Sequence, residues 1–218
     1  MRNRILYSLL LVLVSCIPAR GQSDSIYRQK ASPGRGLVKE SRAATKPYRA
    51  ITARERVRWV IDSTVGQESL LAGVLSAGLG TGINRPKEYG PTWGGFGQRY
   101  GIRLTGISTG NAIEVSLGAI WSEDPRYNRL PNAPFGTRVR NVIKFTFAAR
   151  YRDGHLGPAY ARLLAISGNN ILSDTWRVNS ETQIGDTALR TLGGILGRMG
   201  ANAFAEFWPN VRRRIFGH

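Results

Sequence analysis

The sequence predicts an all-α protein, a single compact helical bundle of about five or six helices with glycine- and alanine-faced packing. Three observations predict it. Two capping boxes of the S/T-x-x-E/Q type, Thr52 with Glu55 and Ser180 with Gln183, stand ahead of apolar stretches and mark helix starts. Apolar residues recur at helical spacing in several segments. Gly and Ala recur every fourth residue, a row that lets two helix backbones approach closely.

The first helix opens at Thr52 and places Val57, Val60 and Ile61 on one face. Residues 68–83, rich in Leu, Ala and Gly and ending GLGTGIN, form the second. Residues 96–121 carry Leu104, Ile107, Ile113, Leu117 and Ile120 at helical spacing, and residues 135–151 do the same with Phe135, Val139, Val142, Thr146 and Ala149. A fifth helix covers residues 157–172, and a long last one runs from the Ser180 box to about Arg214. The small-residue rows are Gly106, Gly110 and Gly118, with Glu114 in the gap, and Gly193, Gly197, Ala201 and Ala205; Gly73 and Ala77 repeat the spacing earlier. These residues are the expected packing positions. Charges interrupt every apolar stretch (Arg103, Glu114, Arg162, Arg190, Arg198), so no segment reads as a membrane span. An alternating reading of residues 114–119 and 144–147 points instead to an outer-membrane β-barrel or pore. A barrel, however, needs at least about eight strands of roughly ten residues, and the capping boxes favour helix.

The N-terminus reads as an export signal over residues 1–21: Arg2 and Arg4 precede an apolar run, residues 5–14, too short to cross a bilayer, where roughly 20 residues are needed. Ala19-Arg20-Gly21 suits a signal peptidase, while Leu13-Val14-Ser15-Cys16 resembles a bacterial lipobox that would leave a lipidated Cys16. Residues 22–50 follow as a basic flexible leader, and residues 51–218 as the helical domain. The whole chain of 218 residues has 31 Lys plus Arg against 14 Asp plus Glu, a net charge of +17. Such a leader suits an anionic membrane surface or an acidic envelope polymer, or serves as a solubilising linker. Export and the lack of aromatic residues among the charges argue against nucleic acid. Self-association through the glycine rows is the other partner expectation.

Composition excludes several chemistries. One Cys rules out a disulfide framework and a Cys-based zinc site, and two His rule out an HExxH helix or a three-His metal site. No metal or cofactor is expected. The catalytic candidates are few. Gly106-Ile107-Ser108-Thr109-Gly110 fits G-x-S-x-G, the nucleophile turn of α/β-hydrolases, but no buried parallel strands precede it. His155, with Asp153 two residues before it, could serve as a general base, although a lone His in a Gly-rich turn is more often a surface group. Glu123, Asp124, Arg126 and Tyr127 form a binding candidate, against the plainer reading of a charged helix stop enforced by Pro125. Residues 78–82, GLGTG, lack the strand and the spacing of a dinucleotide fingerprint.

With these residues in view, the chain resembles a group of uncharacterised exported bacterial envelope proteins. They share an (E/Q)DPRY segment, here Glu123 to Tyr127, an apolar stretch with Ser and Asn, here Ala165 to Asn170, and a terminal EFWP(D/N) segment, here Glu206 to Asn210. The resemblance covers roughly residues 51–216 and departs in having Asn210 where an acid is expected. It implies an envelope location and a helical body, and it adds no reaction. The expectation is therefore a non-catalytic cell-envelope protein, periplasmic or associated with the outer membrane, that packs against membrane or another envelope component. The alternatives are a small hydrolase using Ser108 or His155, or the barrel.

Overall fold

The computed structural model describes residues 48–216. The expected signal peptide, Cys16 and most of the basic leader lie outside the described residues. Six α-helices make the bundle: α1 (Ala53–Val65), α2 (Gln67–Gly82), α3 (Trp93–Ile120), α4 (Phe135–Phe147), α5 (Tyr160–Ser173) and α6 (Ile184–Phe216). A three-stranded antiparallel sheet of β1 (Glu123–Asp124), β2 (Ala148–Tyr151) and β3 (Leu156–Pro158) sits among them, with β2 in the middle. The fold is all-α, as the periodicity predicts, and the barrel alternative is not this fold.

Helix α3 is the central post, packed against α1, α2 and α5, while α6 closes the bundle over α4 and α5. Helix α1 starts as its sequence dictates: Thr52 accepts from the Glu55 amide, and Glu55 reaches back to the Thr52 amide at 2.8 Å. Helix α3 ends at Trp121, where Ser122 adopts φ 63° and swings the chain inward to Glu123. A left-handed backbone there redirects the chain within a single residue.

Several expectations are corrected. The fourth helix stops at Phe147 rather than Tyr151, because the next four residues pair with β1 and β3, Asp124 opposite Arg150 and Ala149 opposite Gly157. Tertiary pairing overrides a helical pattern there. The Ser180 box does not open the last helix. Asn179–Glu181 forms a 3₁₀ turn held by Arg177, which bonds Glu181 at 2.9 Å, and the helix begins at Ile184 with the Thr187 amide donating to the Gln183 carbonyl. The domain also begins before residue 51: the Tyr48 hydroxyl donates to Asp124 at 3.0 Å, and Arg126 donates to the Arg49 carbonyl. In α1 the apolar face of Val57, Val60 and Ile61 is turned largely outward, with Val57 and Ile61 exposed, Val60 half-buried and Thr64 buried.

This last reversal is general. Among the described residues the buried apolar positions are Val142, Phe145 and five alanines, whereas twelve polar or charged residues are buried, including Glu114, Arg138, Arg162 and Glu206. Many large apolar side chains are exposed instead. Helix α2 buries only Gly73 and Ala77 and exposes Leu71, Val74, Leu75 and Leu79. A helix of a soluble domain ordinarily does the opposite.

Candidate functional site

The interior is organised around three carboxylate sites with four acids in all: Glu114, Glu206, and the adjacent Glu123 and Asp124. Glu114 of α3 takes Arg162 of α5 at 3.0 Å and Arg198 of α6 at 2.7 Å, so one acid joins three helices. Arg162 also donates to the carbonyls of Phe145, Ala148 and Pro125, and Arg198 donates to Pro125 at 3.0 Å. The Arg198 guanidinium lies 5.3 Å from the Trp59 ring, within cation–π range. Burial pulls Arg198 down to about 10, with the Glu114 charge opposing and Arg162 adding to the fall.

The second carboxylate, Glu206, is fully buried. It accepts from the Tyr127 hydroxyl at 2.7 Å, from Arg138 at 2.7 Å and from the Leu130 amide at 3.1 Å. Burial pushes its carboxyl up, and the donors from Tyr127, Arg138 and Leu130 more than offset this, leaving it below the usual range. Arg129 and Arg138 both donate to the Glu206 carbonyl, and Arg129 bonds the Asn210 side chain.

The third group comprises Glu123 and Asp124. Arg126 grips Asp124 through Nε at 3.0 Å and Nη2 at 2.6 Å, while its own backbone amide donates to Oδ1. Glu123 accepts from the Ala161 amide at the start of α5 and from the Tyr151 hydroxyl at 3.2 Å. Burial raises the Glu123 carboxyl above its usual range against those bonds. Arg56 donates to the Glu123 carbonyl at 2.7 Å. Four of the residues singled out from sequence, Glu123, Asp124, Arg126 and Tyr127, thus meet in neighbouring parts of one interior network. Every carboxylate in it is engaged by protein donors.

The catalytic candidates are not brought together. Ser108 sits in the middle of α3 with no strand before it, unlike a nucleophile turn, and no hydrogen bond joins it to His155 among the described residues. His155 stacks on Tyr151 at 4.5 Å between ring centres, and its Nδ1 lies 2.5 Å from Asp153 on an exposed turn. No group of three or more His, Cys, Asp or Glu among the described residues is arranged to hold a metal.

The glycine rows divide. On α3, Gly106 and Gly110 face Asn169 of α5, and a Cβ at Gly118 would come within 3.1 Å of Arg56 and of the Glu123 carbonyl. On α6 the row points out: a Cβ at Gly193 or Gly197 would meet nothing within 4 Å, and Ala201 and Ala205 are exposed. The α6 row does not pack within the described chain, and the neighbouring Gly194 is the one pressed against α5, where a Cβ would stand 2.7 Å from Ile166.

Sequence reasoning missed Arg138, Arg162, Arg198 and Glu206 as network members, and treated charges in apolar helices only as breaks. A signal was present: Arg190, Gly194, Arg198, Asn202 and Glu206 recur every four residues, about 100° around the helix from the glycine row. It missed as well a cavity of about 180 Å³ beside α2 and α3 that is lined by Arg85, Arg99, Arg103 and Arg177. Compared with protein-family models, with curated proteins and with solved structures, the chain shows no match.

Proposed function

We propose that the protein is a non-catalytic component of the cell envelope that lies against an anionic membrane surface through the outer faces of α6 and α2. The observation that carries this reading is the outer face of α6. From Ile184 to Trp208 each exposed residue is apolar or glycine, while Asp186, Arg190, Arg198 and Glu206 are turned away from it. That face runs about 37 Å at the α-helical rise. Leu189, Leu192 and Leu196 are more than half exposed on it, and Phe204 and Trp208 stack at its end.

An exposed apolar face of this length marks a surface that meets protein or lipid. Charge selects the lipid. Arg212, Arg213 and Arg214 follow the apolar face directly and are exposed, and aromatic residues next to arginines match the boundary between acyl chains and anionic headgroups. No described helix is long and apolar enough to cross a membrane. The face therefore lies on the bilayer, where each fully buried leucine contributes about 1.5–3 kcal/mol.

The test is flotation of the full chain with vesicles of phosphatidylcholine, with and without phosphatidylglycerol. Binding that requires phosphatidylglycerol and is lost in Leu192→Glu with Leu196→Glu supports the reading. Retention of binding by that double variant overturns it. So does a dimer in sedimentation that the same variant dissolves without any vesicle binding by the wild type, since the face would then belong to a second copy.

A further inference from the structure

The arginine-lined cavity stands apart from the carboxylate network. It lies between α2, the turn carrying Tyr89 (a 3₁₀ turn, Lys87–Tyr89), α3 and the 3₁₀ turn Asn179–Glu181, and it opens to solvent on one side. Its volume of about 180 Å³ is far above the ~10–15 Å³ that one water needs. Four guanidinium groups line it against one carboxylate, Glu181, and that carboxylate is taken by Arg177.

The remaining arginines have no acidic partner among the described residues. Arg99 is 8% exposed and is fixed by the carbonyls of Arg85, Pro86 and Gly90 at 2.8–2.9 Å, so it supplies a rigid, buried positive charge. Among the described residues Arg103 makes a single hydrogen bond, to the Ser69 carbonyl at 3.1 Å, and its other donors have no partner there. Burial lowers the Arg103 pKa, as expected of a cation drawn from water without a counter-charge. Tyr89 lines the same cavity, its ring 5.4 Å from the Arg99 guanidinium. Arginines without a counter-charge are costly to hold out of water unless an anion occupies the space between them.

The backbone makes room for this arrangement. A Cβ at Gly73 would stand 2.9 Å from Arg103 Nη1, and one at Gly80 3.1 Å from the Arg99 side chain. Gly95 is the tightest: a Cβ would come within 2.3 Å of the Tyr89 and Gly90 carbonyls and 2.9 Å of Arg99. Glycine is required at that close approach.

We propose that this cavity binds a phosphate group, with Arg103 donating to its oxygens, Arg85 closing over it from the rim, and Arg99 setting the positive potential. Several guanidinium groups around one small space suit a multiply charged, multi-oxygen anion. The group can belong to a lipid headgroup or to a soluble phosphate; Leu79 and Ile83 are exposed on and just after α2, the helix whose Ala77 and Gly80 line the cavity, and would meet the chains of a lipid.

The experiment is calorimetric titration of the full chain with inorganic phosphate, comparing wild type, Arg103→Gln and Arg213→Gln, each checked by circular dichroism. The expected result is saturable binding by wild type, about tenfold weaker in Arg103→Gln, and unchanged in Arg213→Gln. If Arg103→Gln does not fold, Arg103→Lys takes its place with the same direction of change. No binding by wild type at millimolar phosphate, or equal binding by wild type and the Arg103 variant, overturns the proposal.

Flotation with phosphatidylcholine vesicles carrying phosphatidic acid separates the sources. A gain in binding that Arg103→Gln removes supports the headgroup, and phosphate binding without such a gain supports a soluble phosphate. Leu192→Glu leaves the phosphate titration intact, so failure of the membrane reading is distinguishable from failure of this one.

Discussion

The Tyr127 hydroxyl donates to the Glu206 carboxylate at 2.7 Å across 79 residues of sequence, and through this bond the EDPRY segment after α3 is fastened to the EFWPN segment of α6. Arg129 adds a parallel tie to Asn210. The bond sits beside Phe145, whose ring meets that of Tyr127 edge-on at 5.7 Å. Tyr127→Phe keeps the ring contact and removes one donor to a buried charge, so it should cost about 1.5–3 kcal/mol in urea unfolding. Glu206→Gln should cost more, about 3–5 kcal/mol, because it strands the buried Arg138 without its carboxylate.

The triad on Glu114 predicts an asymmetry between its two arginines. Arg162 spreads its donors over Glu114 and several carbonyls, whereas Arg198 leaves its buried Nε unpaired and has its pKa drawn down by burial. Arg162→Met should destabilise by about 3–5 kcal/mol. Arg198→Met leaves Glu114 paired with Arg162 and should cost less than about 1.5 kcal/mol, the ordinary net worth of a hydrogen bond. Equal losses in the two variants would contradict this division.

Acid should weaken the fold through Glu206. Its folded-state pKa lies below the ordinary value, so its stabilisation is complete above the unfolded carboxylate range and is lost as pH falls through the folded value. Glu123 acts with opposite sign: burial raises it, so its ionisation opposes folding as pH rises through the carboxylate range. Urea midpoints followed from neutral pH to about pH 3, below the ordinary carboxylate values, should therefore fall less steeply in Glu206→Gln than in wild type. In Glu123→Gln they should fall more steeply.

Two adjacent glycines should respond in opposite directions. Gly193→Ala adds a methyl in open space on a helix and should stabilise the isolated protein by about 0.5–1 kcal/mol. Gly194→Ala drives its methyl to 2.7 Å from Ile166 Cγ2 and should destabilise by about 1–3 kcal/mol. Thermal unfolding of the pair, without vesicles, checks both.

The helices were legible because their signals are local. The Thr52 box, the apolar spacing of α3 and the Leu-Ala-Gly run of α2 each report on a few neighbouring residues. The end of α4 was not legible, since Ala148 and Ala149 carry no strand signal of their own and become β2 only by pairing with β1 and β3. The orientation of the helices was hidden for a different reason. Periodicity finds the apolar face of a helix, and the usual inference turns that face inward; here Leu192 and Leu196 are outside while Arg198 and Asn202 point in. Glu123 to Tyr127 could be singled out as a charged cluster, but its partners Tyr48, Ala161 and Glu206 are distant in sequence.

The inverted interior also has a calorimetric signature. Unfolding a typical domain moves apolar surface into water and raises the heat capacity by about 12–15 cal/mol/K per residue, whereas newly exposed polar surface lowers it. In this bundle Leu75, Leu79, Leu189 and Leu196 already meet solvent in the folded chain, and what melting uncovers includes Glu114, Arg162, Asn202 and Glu206. The increment should fall below the usual range, giving a shallow stability curve that loses little on cooling. Directional charge pairs carry much of the interior, and the fold's tolerance of temperature follows from their geometry.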